Sequence, residues 1–271
     1  MSAGFARILL VGCGKMGRAM LDGWLEQGLA ASQILIAEPS AIDLPAPIAA
    51  RRIENAAAAP ADFIPEIVVL AIKPQSMDAV LPGLARFVAP GTVFLSIAAG
   101  KTLKVLAGGL GKTARIVRTM PNTPAAVRHG ITVAVAGPGV EQAQRAGCDR
   151  LLRAVGEVVW VEDEGLIDAV TAVSGSGPAY VFLLVEAMAE AGTKAGLPAE
   201  LAMQLARATV SGSGELLRRS PDSAAQLRKN VTSPGGTTAE ALKVLMAPDA
   251  MQKIFDAAIA AATRRSRELA G

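Results

Sequence analysis

Two threonines follow a proline and two glycines in the stretch SPGGTTAEAL, residues 233–242. Thr237 and Glu240 match the T-x-x-E pattern of a capping box, which predicts that a helix begins here with Thr237 as its cap. The two glycines would let a ligand approach the free N–H groups of this helix N-terminus, which favours an anion such as a carboxylate. Thr238 would then offer its hydroxyl to the same ligand. The alternative, a sharp corner in which both threonines only cap the helix, stays open at this point.

A second stretch with chemical meaning is RILLVGCGKMG, in which Gly12, Gly14 and Gly17 have G-x-G-x-x-G spacing directly after a predicted strand. The first glycine permits a tight turn, the second lets a pyrophosphate reach the backbone, and the third allows the next helix to pack on the strand. The free N–H groups of that helix face the phosphates. The stretch therefore predicts a dinucleotide-binding site, the alternative being a glycine-rich turn that only packs.

Glu38 ends the second predicted strand, where an acidic side chain meets the ribose hydroxyls of NAD and repels the extra phosphate of NADP. Ser40 offers a hydroxyl that would offset this repulsion. The choice between NADH and NADPH is therefore open, with tolerance of NADH favoured.

Nucleophilic and metal-dependent chemistry find no support in the sequence. The single histidine, His129, stands just before a predicted strand and is interpreted as a solvated turn residue. One histidine so placed cannot build a Ser/His/Asp or Cys/His set, and no spacing of His, Cys and carboxylates predicts a metal site. The chemistry of an enzyme built this way would come from its cofactor.

The elements that position these residues follow a β-α rhythm in the first half of the chain. Short apolar runs predict strands at 7–11, 33–37, 67–72, 92–97, 115–120, 131–135 and 157–161. Several are apolar on both faces, as in parallel strands covered by helices on each side. After about Glu162 the chain becomes helical throughout. We therefore predict an α/β fold with a doubly wound Rossmann domain at 1–162 and an all-α domain at 163–271. Gly212 and Gly214 predict a close helix approach in the second domain, within the chain or at a subunit interface.

Composition excludes several classes of protein. Of the 271 residues 51% are hydrophobic, and Lys and Arg exceed Asp and Glu by only 3 (27 against 24), which argues against nucleic-acid binding. Cys13 and Cys148 form no paired motif, which favours a reducing compartment. The longest uncharged run, 169–185, is too short for a membrane span and is broken by Ser-Gly-Ser-Gly-Pro. We expect a soluble, cytoplasmic protein without a membrane or nucleic-acid partner.

Taken together, these stretches resemble the pyrroline-5-carboxylate reductase family over nearly the whole chain. The matching motifs are GCGKMG, AIKPQ (71–75), SIAAG (96–100), RTMPNTP (118–124), DAVTAVSGSGPAYVF (168–182) and LRKNVTSPGGTTAEAL (227–242). The last of these is the most specific.

The resemblance implies a helical dimerisation domain after the Rossmann domain, with larger assemblies of dimers. It implies hydride transfer from NADPH or NADH to the C=N carbon of 1-pyrroline-5-carboxylate, giving L-proline as the last step of proline biosynthesis. The implied substrate contacts are Glu164, Ser233, Gly236, Thr237 and Thr238, with Thr238 as the catalytic residue. The implied cofactor contacts, with Glu38 and Ser40, are Gly12, Cys13, Gly14, Lys15, Met16, Gly17, Asn55, Ala71, Ile72, Lys73, Pro74 and Asn230.

Two other functions were weighed against this one. A β-hydroxyacid dehydrogenase shares the glycine fingerprint and a helical second domain, but the lysine expected after its glycine-rich stretch is missing after Gly177. A dinucleotide-binding regulator without turnover is the other alternative, because a fold alone does not prove catalysis.

Overall fold

A computed structural model describes residues 7–270 of the chain. Within them, eight strands form one sheet in the order β3-β2-β1-β4-β5-β6-β7-β8. The strands are β1 (Ile8–Val11), β2 (Ile34–Ala37), β3 (Arg52–Ile53), β4 (Ile67–Leu70), β5 (Val93–Ser96), β6 (Arg115–Met120), β7 (Gly130–Ala136) and β8 (Gly156–Val161). The seven predicted strands are confirmed. The eighth, β3, has only two residues, too few for an apolar pattern to indicate it.

All neighbouring strands are parallel except β6 and β7. The strand order reverses at β1, which pairs with β2 on one side and with β4 on the other. Val11 lies opposite Ala37 and also opposite Leu70, so these three strands end at the same level. In open α/β sheets ligands bind in the crevice at such a switch point.

The core lies on both faces of the sheet. Every residue of β1, β2, β4 and β5 is buried, which is the burial that their continuous apolar sequences predict. On one face Trp24 packs into the core, and its indole N–H donates to the Leu151 carbonyl at 2.9 Å. On the other face Phe94 is fully buried among aliphatic side chains.

The helices cover the sheet and then form the rest of the chain. They are α1 (Lys15–Glu26), α2 (Ala46–Ala49), α3 (Met77–Leu84), α4 (Leu103–Leu110), α5 (Gln142–Arg153), α6 (Ile167–Val170), α7 (Gly177–Lys194), α8 (Ala199–Arg219), α9 (Ala224–Asn230), α10 (Thr237–Leu245) and α11 (Met251–Ala270). The predicted fold class, a doubly wound α/β domain followed by an all-α domain, is confirmed.

The chain divides into two compact units. The first reaches Gly175 and also includes the chain from Thr263 onward, and the second is Ser176–Ala262. Residues 163–175, placed in the second domain by the sequence-based boundary, group here with the first unit because Ile167 packs against Val133 and Val135. The C-terminal turns of α11 return to the same unit, where the Ser266 hydroxyl donates to Asp168 at 2.7 Å.

The second unit exposes a broad apolar surface. Phe182 and Leu183 on α7 and Leu205 on α8 are each about half exposed or more. A Cβ placed on Gly212 or Gly214 would meet no atom within 4 Å among the described residues, so the helix approach predicted there does not occur within one chain. The helical segment Glu164–Lys194 is long and apolar enough to cross a membrane by length and composition, which alone is weak evidence.

Candidate functional site: a dinucleotide cleft and an open helix N-terminus

A cleft of about 460 Å³ opens at the switch point of the sheet. Most of its wall residues follow β1, β2, β3 and β4, because these four strands end side by side. The cleft is lined by Val11, Gly12, Gly14, Ala37, Glu38, Pro39, Ser40, Glu54, Asn55, Ala56, Ala71, Ile72, Lys73, Ser76 and Val80. Eight predicted cofactor contacts are among them, brought together from four separate parts of the sequence.

The three glycines of the fingerprint have three different environments. Gly12 has φ +86°, and a Cβ there would lie 2.7 Å from the Ala71 carbonyl oxygen. A Cβ on Gly17 would lie 2.7 Å from the Gly12 carbonyl oxygen, so this position needs glycine for helix packing. Gly14 has no atom within 4 Å of its Cβ position and therefore faces open space. A turn, a close contact and an open approach are the three properties that a pyrophosphate cradle requires.

The N-terminus of α1 is free to bind an anion. Gly14 is its N-cap and brings no side chain to the exposed N–H groups, and the first turn contains no acidic residue. Backbone N–H groups and the helix dipole both favour a phosphate at such a position. The described residues therefore fit the pyrophosphate of a nicotinamide dinucleotide.

Glu38 stands one residue beyond β2 with both carboxylate oxygens engaged. Oε2 accepts a hydrogen bond from the Cys13 N–H at 2.9 Å, and Oε1 accepts one from the Ser40 N–H at 2.9 Å. Burial by itself would raise the pKa of Glu38, but these hydrogen bonds and the Arg52 guanidinium outweigh it, so the pKa lies below its ordinary value. The side chain is therefore an anion held against the glycine loop.

Six predicted cofactor residues do not line the cleft: Cys13, Lys15, Met16, Gly17, Pro74 and, in the second unit, Asn230. Cys13 is buried in the core, and this burial raises the pKa of its thiol to about 11, so its backbone N–H rather than its sulfur serves the site. Met16 also packs against the core. Lys15 is exposed at the first position of α1.

Asn55 and Lys73 approach the cleft from two other turns. Asn55 caps a short 3₁₀ turn, where its Oδ1 accepts hydrogen bonds from the N–H groups of Ala57 and Ala58 at 3.0 and 3.2 Å. Lys73 is exposed and directly precedes Pro74, which begins the next 3₁₀ turn. Each side chain is thus placed by a local backbone turn after a strand.

In the second unit, the predicted capping box at Thr237 is wrong. The N-cap of α10 is Gly236, with no side-chain hydrogen bond, so Thr237 is already the first helical residue. The Glu240 carboxylate turns outward and pairs with Lys243. The physical reason is the preceding turn, in which Gly235 takes φ +69° and the Gly236 N–H donates to the Ser233 carbonyl. That turn ends one residue earlier than the T-x-x-E pattern predicts, so Gly236 rather than Thr237 is the cap.

This correction leaves the start of α10 open to a ligand. Within residues 7–270, the hydroxyls of Ser233, Thr237 and Thr238 have no hydrogen-bond partner. Ser233 and Thr237 are exposed, whereas Thr238 is half-buried. Three hydroxyls and the first N–H groups of a nine-residue helix can together hold a small carboxylate.

Asn230 ends α9 in the same unit. Its Oδ1 accepts a hydrogen bond from the Gln226 amide at 2.7 Å, and its Nδ2 lies 3.5 Å from Asp222. The side chain is exposed. Its predicted contact with a cofactor stays a prediction.

Glu164, a predicted substrate contact, takes part in an ion pair within the first unit. Its Oε1 accepts hydrogen bonds from Arg118 Nη1 at 2.6 Å and from the Leu103 N–H at the start of α4 at 2.8 Å. Arg118 is buried in β6. Sequence reasoning did not single out this arginine, although a cation at an interior position of a predicted strand is a signal that could have found it.

Asn122, just beyond β6, is a second residue that sequence reasoning missed. Its Oδ1 accepts a hydrogen bond from the Ile131 N–H at 2.9 Å, and its Nδ2 donates to the Ser174 hydroxyl at 3.2 Å. Ser174 lies in a π-helical turn, Thr171–Gly175. Asn122 therefore ties the end of β6 to this turn. Elsewhere, no group of three metal-ligating side chains occurs among the described residues.

Two family models match parts of the chain. The one described as pyrroline-5-carboxylate reductase dimerisation matches residues 164–269, and the one described as NADP oxidoreductase, coenzyme F420-dependent, matches residues 7–100. A pyrroline-5-carboxylate reductase of Pseudomonas aeruginosa is 42% identical over 267 residues, covering 97% of each chain. The chain belongs to the pyrroline-5-carboxylate reductase family.

Solved structures of this family agree. A pyrroline-5-carboxylate reductase from Coxiella burnetii has a TM-score of 0.89 at 34% identity, over 98% of this chain and 99% of that one. A Plasmodium falciparum pyrroline carboxylate reductase with NADP bound has a TM-score of 0.83 at 27% identity, over 99% of each chain. These likenesses support the described fold over its whole length.

Proposed function

We propose that the protein is an NAD(P)H-dependent oxidoreductase that reduces 1-pyrroline-5-carboxylate to L-proline, the last step of proline biosynthesis. The observation that carries the proposal is the 42% identity to a pyrroline-5-carboxylate reductase over 97% of both chains. The dinucleotide cleft supports it independently, because its glycine loop and open α1 N-terminus fit NADPH or NADH.

The open N-terminus of α10 holds the substrate carboxylate in this proposal. A cyclic imino acid presents one carboxylate and one ring nitrogen. The free N–H groups of α10 and the Ser233 hydroxyl suit the carboxylate, since an anion is favoured at a helix N-terminus. The half-buried Thr238 hydroxyl then hydrogen-bonds the ring nitrogen. Gly236 permits close approach because it has no side chain, and Thr237 adds a second hydroxyl on the exposed side.

The bound nicotinamide supplies a hydride to the C=N carbon, and the ring nitrogen takes up a proton. The protein contributes orientation, which is worth most when the reacting groups are held at near-attack distance. The hydrogen bond from Thr238 stabilises the ring nitrogen as its charge changes, and the hydroxyl helps to deliver the proton to that nitrogen. Two parts of the proposal rest on the family resemblance: that Glu164 contacts the substrate and that Asn230 contacts the cofactor.

The test is oxidation of NADPH, and separately of NADH, in the presence of pyrroline-5-carboxylate, with proline identified as the product. Thr238→Ala should lower kcat by a factor of ~10², the size expected from losing one group that assists proton transfer. Its affinity for the dinucleotide should stay unchanged. Thr193→Ala is the matched control, because that hydroxyl only donates to the Ala189 carbonyl within α7. Wild-type protein that binds the dinucleotide tightly but consumes none would overturn the assignment and favour the regulator alternative.

The exposed apolar surface of the second unit supports a homodimer. Phe182, Leu183 and Leu205 are each exposed to an extent that is unusual for large apolar side chains, and they lie in the segment matched by the dimerisation model. A second copy of the chain would cover them, and we propose that such dimers assemble into a larger homo-oligomer in the cytoplasm. The second copy of the chain would also cover the apolar segment Glu164–Lys194, so no membrane is needed to explain its composition.

A further inference from the structure

The part of the cleft that directly follows β2 contains the Glu38 carboxylate, and we call it the ribose end of the cleft. This side chain lies directly after β2, at the position where acidic residues of dinucleotide-binding folds accept hydrogen bonds from ribose hydroxyls. A carboxylate oxygen can accept more than one hydrogen bond, so the contacts with the Cys13 and Ser40 N–H groups leave room for two hydroxyl donors. The arrangement suits an unmodified ribose.

A phosphate on that ribose would meet two obstacles. The first is charge, because Glu38 is an anion and Glu54 lines the same cleft. The second obstacle is the lack of free backbone N–H groups that could donate hydrogen bonds to the phosphate. The N–H groups of Cys13 and Ser40 are the kind of backbone donors that hold phosphates, and both already donate to Glu38.

Two cations would favour a phosphate: Lys73, which lines the cleft, and Arg52. The Nη1 of Arg52 donates to the carbonyl oxygens of Glu38 and Ser40 at 2.9 and 3.3 Å, so part of the guanidinium is committed to the loop. The Arg52 side chain is not among those that line the cleft, whereas Glu38 and Glu54 are. Among the side chains that line the cleft, the two carboxylates Glu38 and Glu54 therefore outnumber the one cation, Lys73, and Arg52 is partly engaged elsewhere.

We propose that Glu38 is the residue that sets cofactor choice and that it makes the protein prefer NADH to NADPH. This inference deepens the proposed function and rests on it for the kinetic consequence, but the nucleotide preference itself does not depend on the substrate. Removing the carboxylate both ends the repulsion and frees the Cys13 and Ser40 N–H groups for a phosphate. The preference should then shift toward NADPH.

The experiment measures binding of ADP-ribose and of 2′-phospho-ADP-ribose by calorimetry, because these ligands lack the nicotinamide and need no turnover. Wild-type protein should bind ADP-ribose more tightly, and Glu38→Ser should shift the ratio toward the phosphorylated ligand. One carboxylate–phosphate contact predicts a shift between about 5-fold and several hundred-fold, depending on the local dielectric. Glu38→Gln keeps the size of the side chain and removes its charge, so it should shift the ratio by less than Glu38→Ser.

Two further variants separate the causes. Glu54→Gln removes one negative charge from the same cleft without freeing a backbone donor, and it should shift the ratio less than Glu38→Ser does. Arg52→Ala should weaken binding of 2′-phospho-ADP-ribose most when it is combined with Glu38→Ser, because that variant is expected to bind the phosphate. Retained ADP-ribose binding shows that a variant is folded.

The outcomes distinguish this inference from the proposed function. Equal binding of the two ligands by wild type, tighter binding of the phosphorylated one, or a ratio that Glu38→Ser leaves unchanged would overturn the role of Glu38. Failure of wild type to bind either ligand would overturn it as well. A clear preference for ADP-ribose, together with no oxidation of NADH by pyrroline-5-carboxylate, would support the role of Glu38 and refute the reductase assignment.

Discussion

Replacing Glu164 with alanine should destabilise the first unit strongly, although the residue lies outside the core. Glu164 accepts hydrogen bonds from Arg118 and from the Leu103 N–H. The Arg118 side chain is only 4% exposed, whereas that of Glu164 is 30% exposed. Glu164→Ala therefore leaves a buried guanidinium without its counter-ion and the Leu103 N–H at the start of α4 without its acceptor.

The size of the loss in unfolding free energy follows from this difference in exposure between Arg118 and Glu164. Removing one member of a buried ion pair costs about 3–5 kcal/mol, because the remaining charge is desolvated without compensation. Water can reach the space that the half-buried Glu164 vacates, which reduces the cost. We expect the free energy of unfolding to fall by about 2–4 kcal/mol. Arg118→Met removes the buried charge itself, so the double variant Glu164→Ala/Arg118→Met should recover part of the loss.

The assay is equilibrium unfolding in urea of the wild type, both single variants and the double variant. All are measured at one protein concentration, since association shifts apparent stability. Glu162→Ala is the matched control: Glu162 pairs with Arg145 at 3.3 Å, but its side chain is 86% exposed. An exposed pair contributes about 0–1 kcal/mol, so the control should change little.

Two results would refute this reasoning. One is a Glu164→Ala variant as stable as the Glu162→Ala control. The other is a double variant less stable than Glu164→Ala, because the lone guanidinium would then not be the source of the loss. The KM for pyrroline-5-carboxylate tests the separate prediction that Glu164 touches the substrate, since a purely structural role would leave KM unchanged in the folded fraction.

Two further predictions concern the glycine loop and the buried thiols. Gly12→Ala should lower the melting temperature, because the φ of Gly12 is +86° and a Cβ there would lie 2.7 Å from the Ala71 carbonyl oxygen. Gly14→Ala should fold normally but weaken the binding of ADP-ribose. Equal melting temperatures for the two variants would contradict this prediction. Burial raises the pKa of Cys13 to about 11 and that of Cys148 to about 12, from an ordinary value of 9.0. The unfolded chain therefore releases both protons first, and stability should fall as pH rises from about 9 to about 11, by about 1.4 kcal/mol per pH unit for each thiol. Urea unfolding at several pH values checks this: Cys148→Ala should roughly halve the contribution of the thiols to the slope, and an unchanged slope would contradict the prediction.

The helix start at α10 illustrates a limit of local patterns. The T-x-x-E pattern predicts a helix that begins directly after Thr237 as its cap, yet the same residues also allow a helix that begins one residue earlier, directly after Gly236. The turn through Gly235 decides between the two registers, and a capping pattern contains no information about that turn. The resulting open N-terminus suits the proposed carboxylate site better than the predicted cap would.

Features that depend on neighbouring residues could be predicted from the amino-acid sequence alone. The strands were predictable because burial on both faces leaves a continuous apolar run, as in Ile67–Leu70. The glycine spacing predicted the dinucleotide loop, and the longer motifs predicted the family. Each of these signals lies within a few residues or a short segment, where backbone geometry and burial act directly on the choice of side chain.

Which distant residues come into contact could be read only from the folded chain. The strand order places the ends of β1, β2 and β4 side by side and so brings the Glu38 carboxylate to the Cys13 N–H, 25 residues away. The same holds for Arg118 and Glu164, which are 46 residues apart and form one ion pair. Such contacts depend on strand pairing and helix packing across the whole unit. No local propensity or spacing contains that information, so the partner of Arg118 and the contacts of Asn122 became visible only in the fold.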